Sequence, residues 1–265
     1  MIQINNLSFR RRGSHILDAV NCDIKAAKIT ALIGPNGSGK STLLKLIAGV
    51  LTPNSGQITI NQVPLKQWPA KQLAKQLTML PQHNQVPVGL TVKELVAMGR
   101  APHLGLFGRL DQQDHTKIDW AMAQAHLTDW ADRRVDQLSG GETQRCWLAM
   151  ILAQDTDIVL LDEPTSYLDI GHQIELLEIV KTLNQQYQKT IVWVLHDLNQ
   201  ASAYSDEILL LDGGKLVAQG SPNQVLTAER ASAIYQTPLI SSQIGQQSIL
   251  WPQAQTVTDT SSVTL

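Results

Sequence analysis

Residues 28–50 read KITALIGPNGSGKSTLLKLIAGV. Lys28–Ile33 is a short apolar run of the kind that forms a buried strand. Gly34–Ser41 fits the phosphate-loop pattern G-x-x-x-x-G-K-[ST]. Behind the loop, Leu43, Leu44, Ile47 and Val50 recur at the spacing of one helix face. Strand, glycine-rich turn and helix in that order are the context the pattern requires, and they outweigh the plain reading of a turn at a helix start. Glycines 34, 37 and 39 let successive backbone N–H groups face one anion. The helix start adds partial positive charge. The predicted phosphate cradle is Gly34, Pro35, Asn36, Gly37, Ser38, Gly39, Lys40, Ser41 and Thr42. In it Lys40 reaches the β- and γ-phosphates and the Ser41 hydroxyl ligates Mg²⁺.

Ile158–Leu161 is a second buried-strand candidate, and it ends in Asp162-Glu163-Pro164. Acids at the C-terminal end of a parallel strand lie where open α/β sheets bind ligands. Two such acids alone are more often a solvated turn; the phosphate loop reverses that reading. Asp162 is placed to hold Mg²⁺, and Glu163 to polarise an attacking water. A third motif, Leu138–Arg145, reads LSGGETQR. Its Ser139-x-x-Glu142 is a capping box, and a capped helix start is itself an anion site. Thr91-x-x-Glu94 has the same form and is read as a cap alone.

With these motifs in order, the chain resembles the ATP-binding cassette (ABC) ATPases from about residue 2 to about residue 220. The resemblance implies an α/β fold: an ABC-type phosphate-loop NTPase core with an antiparallel β subdomain and an inserted α-helical subdomain. It identifies Gln82 with the family's Q-loop glutamine, which senses Mg²⁺ and the γ-phosphate. It identifies Ser166-Tyr167-Leu168-Asp169 with the D-loop and His196 with the switch histidine. The implied catalytic set is Glu163, His196 and Gln82, with Ser41, Gln82 and Asp162 at Mg²⁺. Ser139, Gly140 and Gly141 look like the signature that closes the site of an opposite subunit. ATP and Mg²⁺ are the implied cofactors. The implied partners are a second copy in an ATP-sandwich homodimer, transmembrane permease subunits and, indirectly, a substrate-binding protein. Two positions depart from the family pattern. The adenine-stacking position falls on Arg11, so either Phe9 is displaced onto the base or an Arg guanidinium stacks there. The D-loop carries Tyr167 where a small residue is usual.

Within the family, VKELVAMGRAPHLGLFGRL at residues 92–110 and the stretch from Leu138 to Gln173 are similar to the iron-siderophore, haem and cobalamin importer group. The nearest resemblance is to ferric hydroxamate siderophore importers. The resemblance implies that the binding protein and permease choose the compound carried, so nothing in these residues would touch a siderophore. Two other classes fit less well. ABC proteins acting on DNA or ribosomes commonly carry tandem cassettes, a long coiled-coil insertion or a basic surface. A stand-alone phosphate-loop kinase has no use for the signature.

Composition agrees. The chain has 265 residues, 43% hydrophobic, with a formal net charge of −2. That balance argues against a nucleic-acid partner held by a basic surface. Cys22 and Cys146 lack metal or disulfide spacing and suit a reducing compartment. Met1–Arg12 lacks the charged and apolar regions of a secretory signal. No run approaches about 20 apolar residues. The predicted location is peripheral, on the cytoplasmic face of the inner (plasma) membrane.

Patterning divides the chain into one ABC ATPase domain over residues 2–240 and a Gln/Ser/Thr-rich tail over 241–265. Residues 2–30 alternate around a Gly13-Ser14 turn and predict antiparallel strands. From about 84 to 155 helical patterns dominate (Val92–Gly99, His115–Leu127, Glu142–Ala153), broken by a loop at Gly105–Gly108. Ile174, Leu177, Val180 and Leu183 mark one helix face, and Ile191–Leu195 and Ile208–Leu211 read as strands. The tail is expected to be loosely ordered and free of catalytic residues.

Overall fold

A computed structural model describes residues 1–85, 88–105, 108–244 and 247–253. In chain order it begins with β1 (Ile2–Arg11), β2 (Ser14–Ile24), β3 (Ile29–Ile33), α1 (Lys40–Ile47), β4 (Ser55–Ile60), β5 (Val63–Pro64), α2 (Ala70–Gln76) and β6 (Leu77–Leu80). Three helices follow, α3 (Val92–Met98), α4 (Gln112–Gln124) and α5 (Gly140–Ala153). The chain then alternates through β7 (Ile158–Asp162), α6 (Ile170–Tyr187), β8 (Thr190–Val194), α7 (Leu198–Tyr204) and β9 (Glu207–Asp212). It closes with β10 (Lys215–Gly220), α8 (Pro222–Val225), α9 (Ala228–Tyr235), β11 (Leu239–Ile244) and β12 (Gln247–Pro252).

The central sheet has the order β10-β9-β3-β8-β7-β6. Five of its strands, from β9 to β6, run parallel, and β10 closes one edge antiparallel to β9. All five residues of β3 are buried, which explains a continuous apolar run rather than an alternating one. Their side chains still alternate between two cores. Ala31 and Ile33 join Ile191 and Trp193 in a core shared with the helices α3–α6, whereas Leu32 joins Val192 and Val194 in a core with α1 and the antiparallel strands. The second sheet, β2-β1-β4-β5, is antiparallel and carries Ile2, Ile4 and Leu7 into that second core. Its β1–β2 turn uses Arg12 at φ 50° and Gly13 at φ 84°.

Helix α1 buries Leu43, Leu44, Leu46 and Ile47. Val50, read from the sequence as part of that face, is exposed because the helix stops at Ile47. Helices α3–α5 pack on one another between β6 and β7. Arg100 and Asp114 form a buried ion pair there, Nε to Oδ1 2.8 Å, and Arg100 Nη1 also donates to the Ala153 carbonyl at 2.7 Å. Gln154, at the end of α5, lies along the outer edge of β6. Its Nε2 donates to the carbonyls of Ala74 (2.6 Å) and Leu77 (3.3 Å), and its Oε1 accepts from Thr78 Oγ1 at 2.8 Å.

The expectation of a loosely ordered tail from about residue 240 is corrected for the described part of it. Leu239–Ile244 and Gln247–Pro252 pair antiparallel as β11 and β12. The reason is local: Leu239, Ile240, Ile249, Leu250 and Trp251 supply β-forming side chains among the Gln and Ser residues. Leu250 is buried, and its backbone exchanges hydrogen bonds with the Asn199 side chain on α7 at 2.9 and 3.2 Å. Residues 245, 246 and 254–265 of the predicted tail, and Leu106 and Phe107 of the predicted loop, lie outside the described residues. Among the described residues no helix is long and apolar enough to cross a membrane.

Candidate functional site

Because β3, β6, β7 and β8 are parallel, their C-terminal ends meet at one rim of the sheet. The phosphate loop follows β3, Gln82 follows β6, Glu163 follows β7 and His196 follows β8. This is the crevice where open α/β sheets bind ligands. Gly34 makes the exit from β3 possible. It sits at φ 143°, and a β-carbon there would lie 1.9 Å from the Leu211 carbonyl oxygen.

Lys40, 5% exposed, points its ammonium back into the loop. It donates to the carbonyls of Gly34 (2.7 Å) and Pro35 (2.9 Å). Burial pulls its pKa below the ordinary lysine value, with Glu163 and Asp162 opposing. Such an ammonium gains from an anion that replaces neutral carbonyls. The loop and Glu163 enclose a cavity of about 260 Å³, into which Lys40, Ser41 and Thr42 face. Ile16 of β2 closes one side.

Asp162 is 1% exposed, and neither carboxylate oxygen has a hydrogen-bond partner. The Ser41 hydroxyl approaches it without closing a hydrogen bond, and Lys45 Nζ lies 3.9 Å from Oδ2. Burial pushes this carboxyl above the usual carboxylate range, with Ser41 and Lys45 opposing. A buried carboxylate with open lone pairs beside a hydroxyl fits a hard divalent cation. Mg²⁺ needs only one or two carboxylates from the protein when substrate phosphates help complete its shell. Among the described residues there is no group of three or more His, Cys, Asp or Glu that would hold a metal by itself.

Glu163 is the point where the predicted catalytic residues meet. Gln82 Nε2 donates to its Oε2, the Ser166 hydroxyl donates to the same oxygen at 3.2 Å, and His196 Nε2 lies 2.8 Å from Oε1. Its backbone is left-handed, at φ 53°. For a residue with a side chain that conformation carries strain, here at the site of chemistry.

The signature residues hold none of these hydrogen bonds, although Gly140 lines a cavity that Gln82, Glu163 and Ser166 also line. Ser139 caps α5, and its capping box with Glu142 is complete. The cavity at Gly140 is also lined by Leu138 and Tyr167. None of Ser139, Gly140 and Gly141 lines the phosphate cavity of its own chain. Of the two base-stacking alternatives, Phe9 packs against the core of the antiparallel sheet. Arg11 is left exposed at the end of β1.

Two contributors were not singled out from the sequence. Ile16 is one of several alternating apolar residues in β2, and only the fold places it against the loop. Tyr235 of α9 lines a second cavity beside Gly34 and Pro35. Burial pushes its phenol up to about 12, while the Gly34 N–H facing it opposes. No motif surrounds it. Thr91, read as a cap alone, does cap α3.

A family model described as "ABC transporter" matches residues 17–166. A petrobactin import ATP-binding protein of Bacillus anthracis is 45% identical, covering 89% of this chain and 86% of its own length. An iron(3+)-hydroxamate import ATP-binding protein of Bacillus subtilis is 41% identical, covering 83% and 82%. A hemin import ATP-binding protein of Nocardia farcinica is 43% identical, covering 87% and 80%. Among solved structures, an inward-facing metal-chelate type ABC transporter superposes with a TM-score of 0.83 at 29% identity, covering 96% of this chain and 98% of that one. A bacterial ABC transporter cassette solved as a dimer gives 0.74 at 27%, covering 84% and 99%.

Proposed function

Because the chain belongs to the ABC transporter family, we propose that it energises an importer of iron chelates, with ferric hydroxamate siderophores the first substrate class. The chain is an ATP-binding ATPase. The observation carrying the substrate class is the agreement of its relatives: proteins 41–45% identical over most of their length are named for import of petrobactin, iron(3+)-hydroxamate and hemin. The hemin relative keeps haem, and with it cobalamin or another iron chelate, as the second reading.

In this reading residues 2–240 form one ATPase unit, with the helices of about 84–155 as its inserted lobe. The phosphate loop from Gly34 to Thr42 binds the ATP phosphates and Lys40 neutralises them. Ser41, Asp162 and Gln82 hold Mg²⁺, which supplies positive charge to the β- and γ-phosphates. Glu163 orients the attacking water, and His196 and Gln82 position the Glu163 carboxylate and the γ-phosphate. Ser139, Gly140 and Gly141 complete the site of a second copy, so two ATP molecules hold a head-to-tail homodimer closed. Hydrolysis removes the γ-phosphate contacts and opens it, a ligand-driven two-state switch. The groove at Gln82 and the helical lobe passes that motion to a permease subunit, which works with a substrate-binding protein. The location is the cytoplasmic face of the inner membrane.

Reconstitution with the membrane subunits that co-purify with it tests this. ATP-driven uptake of a labelled ferric hydroxamate into proteoliposomes is the expected result. Uptake of haem or cobalamin alone selects the second reading. Recovery with ribosomes or DNA and no membrane subunit overturns both.

A further inference from the structure

The D-loop tyrosine and the helix α9 have no part in the chemistry above. Tyr167 is 88% exposed, the greatest exposure among the described large apolar side chains. Its backbone is left-handed at φ 66°, a strained conformation that persists where surrounding structure selects it. In its own chain the ring meets only the edge of His83, at a centroid distance of 6.4 Å, among the described aromatic pairs. A large ring held out into solvent at a conformational cost calls for a receptor.

The fold offers one of matching size and chemistry. Between the phosphate loop and the end of α9 lies a cavity of about 530 Å³, twice that over Lys40. Pro35, Asn36, Ile234 and Tyr235 line it together with the polar His196 and Asp212. A lining that mixes apolar and polar groups suits a phenol, which has an apolar face and a hydroxyl tip.

We infer that this cavity receives Tyr167 of a second copy of the chain. The inference rests on the head-to-tail dimer proposed above and adds a contact to it. Within one copy, Tyr167 and Gly140 line the same cavity. Gly141 lies against the His172 ring of α6, where a β-carbon would come within 2.8 Å. The signature and the D-loop tyrosine therefore border one cavity. On the receiving side Asn36 belongs to both the phosphate cavity and the α9 cavity. When the signature of one copy closes over the phosphates of the other, its tyrosine meets the next depression beyond Asn36. Two-fold symmetry repeats the contact, so each copy gives and receives one ring. Helix α9, beyond the residues 17–166 that match the family model, then becomes part of the surface that ATP brings together.

The test uses the full chain carrying Glu163→Gln, which retains ATP, with Tyr167→Cys and Ala233→Cys added. Ala233 is exposed on α9 at the cavity mouth. Cys22 and Cys146 are buried, and burial pushes both thiols up to about 12, so they compete poorly for oxidant. Light scattering reads the dimer and non-reducing gels read the cross-link. The expected result is an interchain 167–233 disulfide that needs ATP. If the dimer forms with ATP and the disulfide does not, the inference is overturned and the dimer stands. A 167–167 disulfide, seen also with Tyr167→Cys alone, overturns it because the rings then meet each other. An intrachain 167–233 product overturns it as well. If ATP produces no dimer, the dimer reading fails and the inference with it. In a second measurement, Tyr167→Ala in the Glu163→Gln chain should raise the dimer dissociation constant about tenfold or more, leaving monomer ATP affinity unchanged. A dimer as tight as the parent's overturns the inference.

Discussion

At Glu163 one carboxylate accepts from Gln82, Ser166 and His196, three side chains that arrive on three different loops. A carboxylate so bound is fixed in place, so a water on it needs little reorganisation. Glu163→Gln keeps the size and loses the charge. ATP binding should survive while phosphate release slows at least about 100-fold, and an ATP-bound dimer should accumulate on size exclusion. Parent-like turnover would remove Glu163 from the role. Lys40→Ala should cost about 100-fold or more in turnover, chiefly through lost phosphate binding; equilibrium binding of a fluorescent ATP analogue checks it. Lys40 and Glu163 were legible because each stands next to a strand end in a short motif. Gln82 and His196 were legible only through the family resemblance, since either residue alone carries no signal. Ile16 was not, since an apolar residue in an alternating strand carries no mark of which loop will fold against it. The Tyr167 substitution in the D-loop was visible as an anomaly, but its exposure needed the structure.

Among the elements, the start of α5 serves two ends. Ser139 both caps the helix and belongs to the signature. Ser139→Arg should leave monomer nucleotide affinity near the parent value and abolish turnover, because its bulk blocks the approach of the other copy. Loss of helix content by circular dichroism together with lost binding would instead assign the residue to capping alone. In the same lobe, Arg100→Met leaves Asp114 buried without its cation and should destabilise the protein by about 3–5 kcal/mol, read as a lower denaturation midpoint with the slope unchanged. Burial opposes ionisation of Asp114, yet the Asp111 N–H and the Arg100 guanidinium hold its pKa below the usual value. The parent should therefore lose this stabilisation as pH falls from about 4 through the depressed value, and Arg100→Met should lose less over that range. The helical lobe was legible as a change of period between Gln82 and Ile158. The hairpin β11–β12 was not: its composition resembles a tail, and the contact that fixes it, Leu250 with Asn199, spans 51 residues of sequence.

For the whole molecule, one phosphate loop and one signature that does not line the phosphate cavity of its own chain predict sites shared between copies. A forced heterodimer with Lys40→Ala in one chain and Ser139→Arg in the other places both lesions in one composite site. It should keep more ATPase activity than a dimer with both lesions in one chain. Clear but equal activities in the two arrangements would refute shared sites. The parallel core and the strand-end rim were legible from alternating strand and helix signals, whereas the α9 cavity follows from long-range packing that no local pattern encodes. One remaining feature bears on how the protein behaves in concentrated solution. A terminal strand such as β6 carries unpaired backbone groups that can template another chain. Gln154 satisfies one of its backbone groups, the Leu77 carbonyl, while also bonding the Thr78 hydroxyl and the Ala74 carbonyl of α2. It acts as a guard against edge-to-edge aggregation, and Gln154→Leu should give a folded, nucleotide-binding protein whose solubility falls first on storage or at high expression.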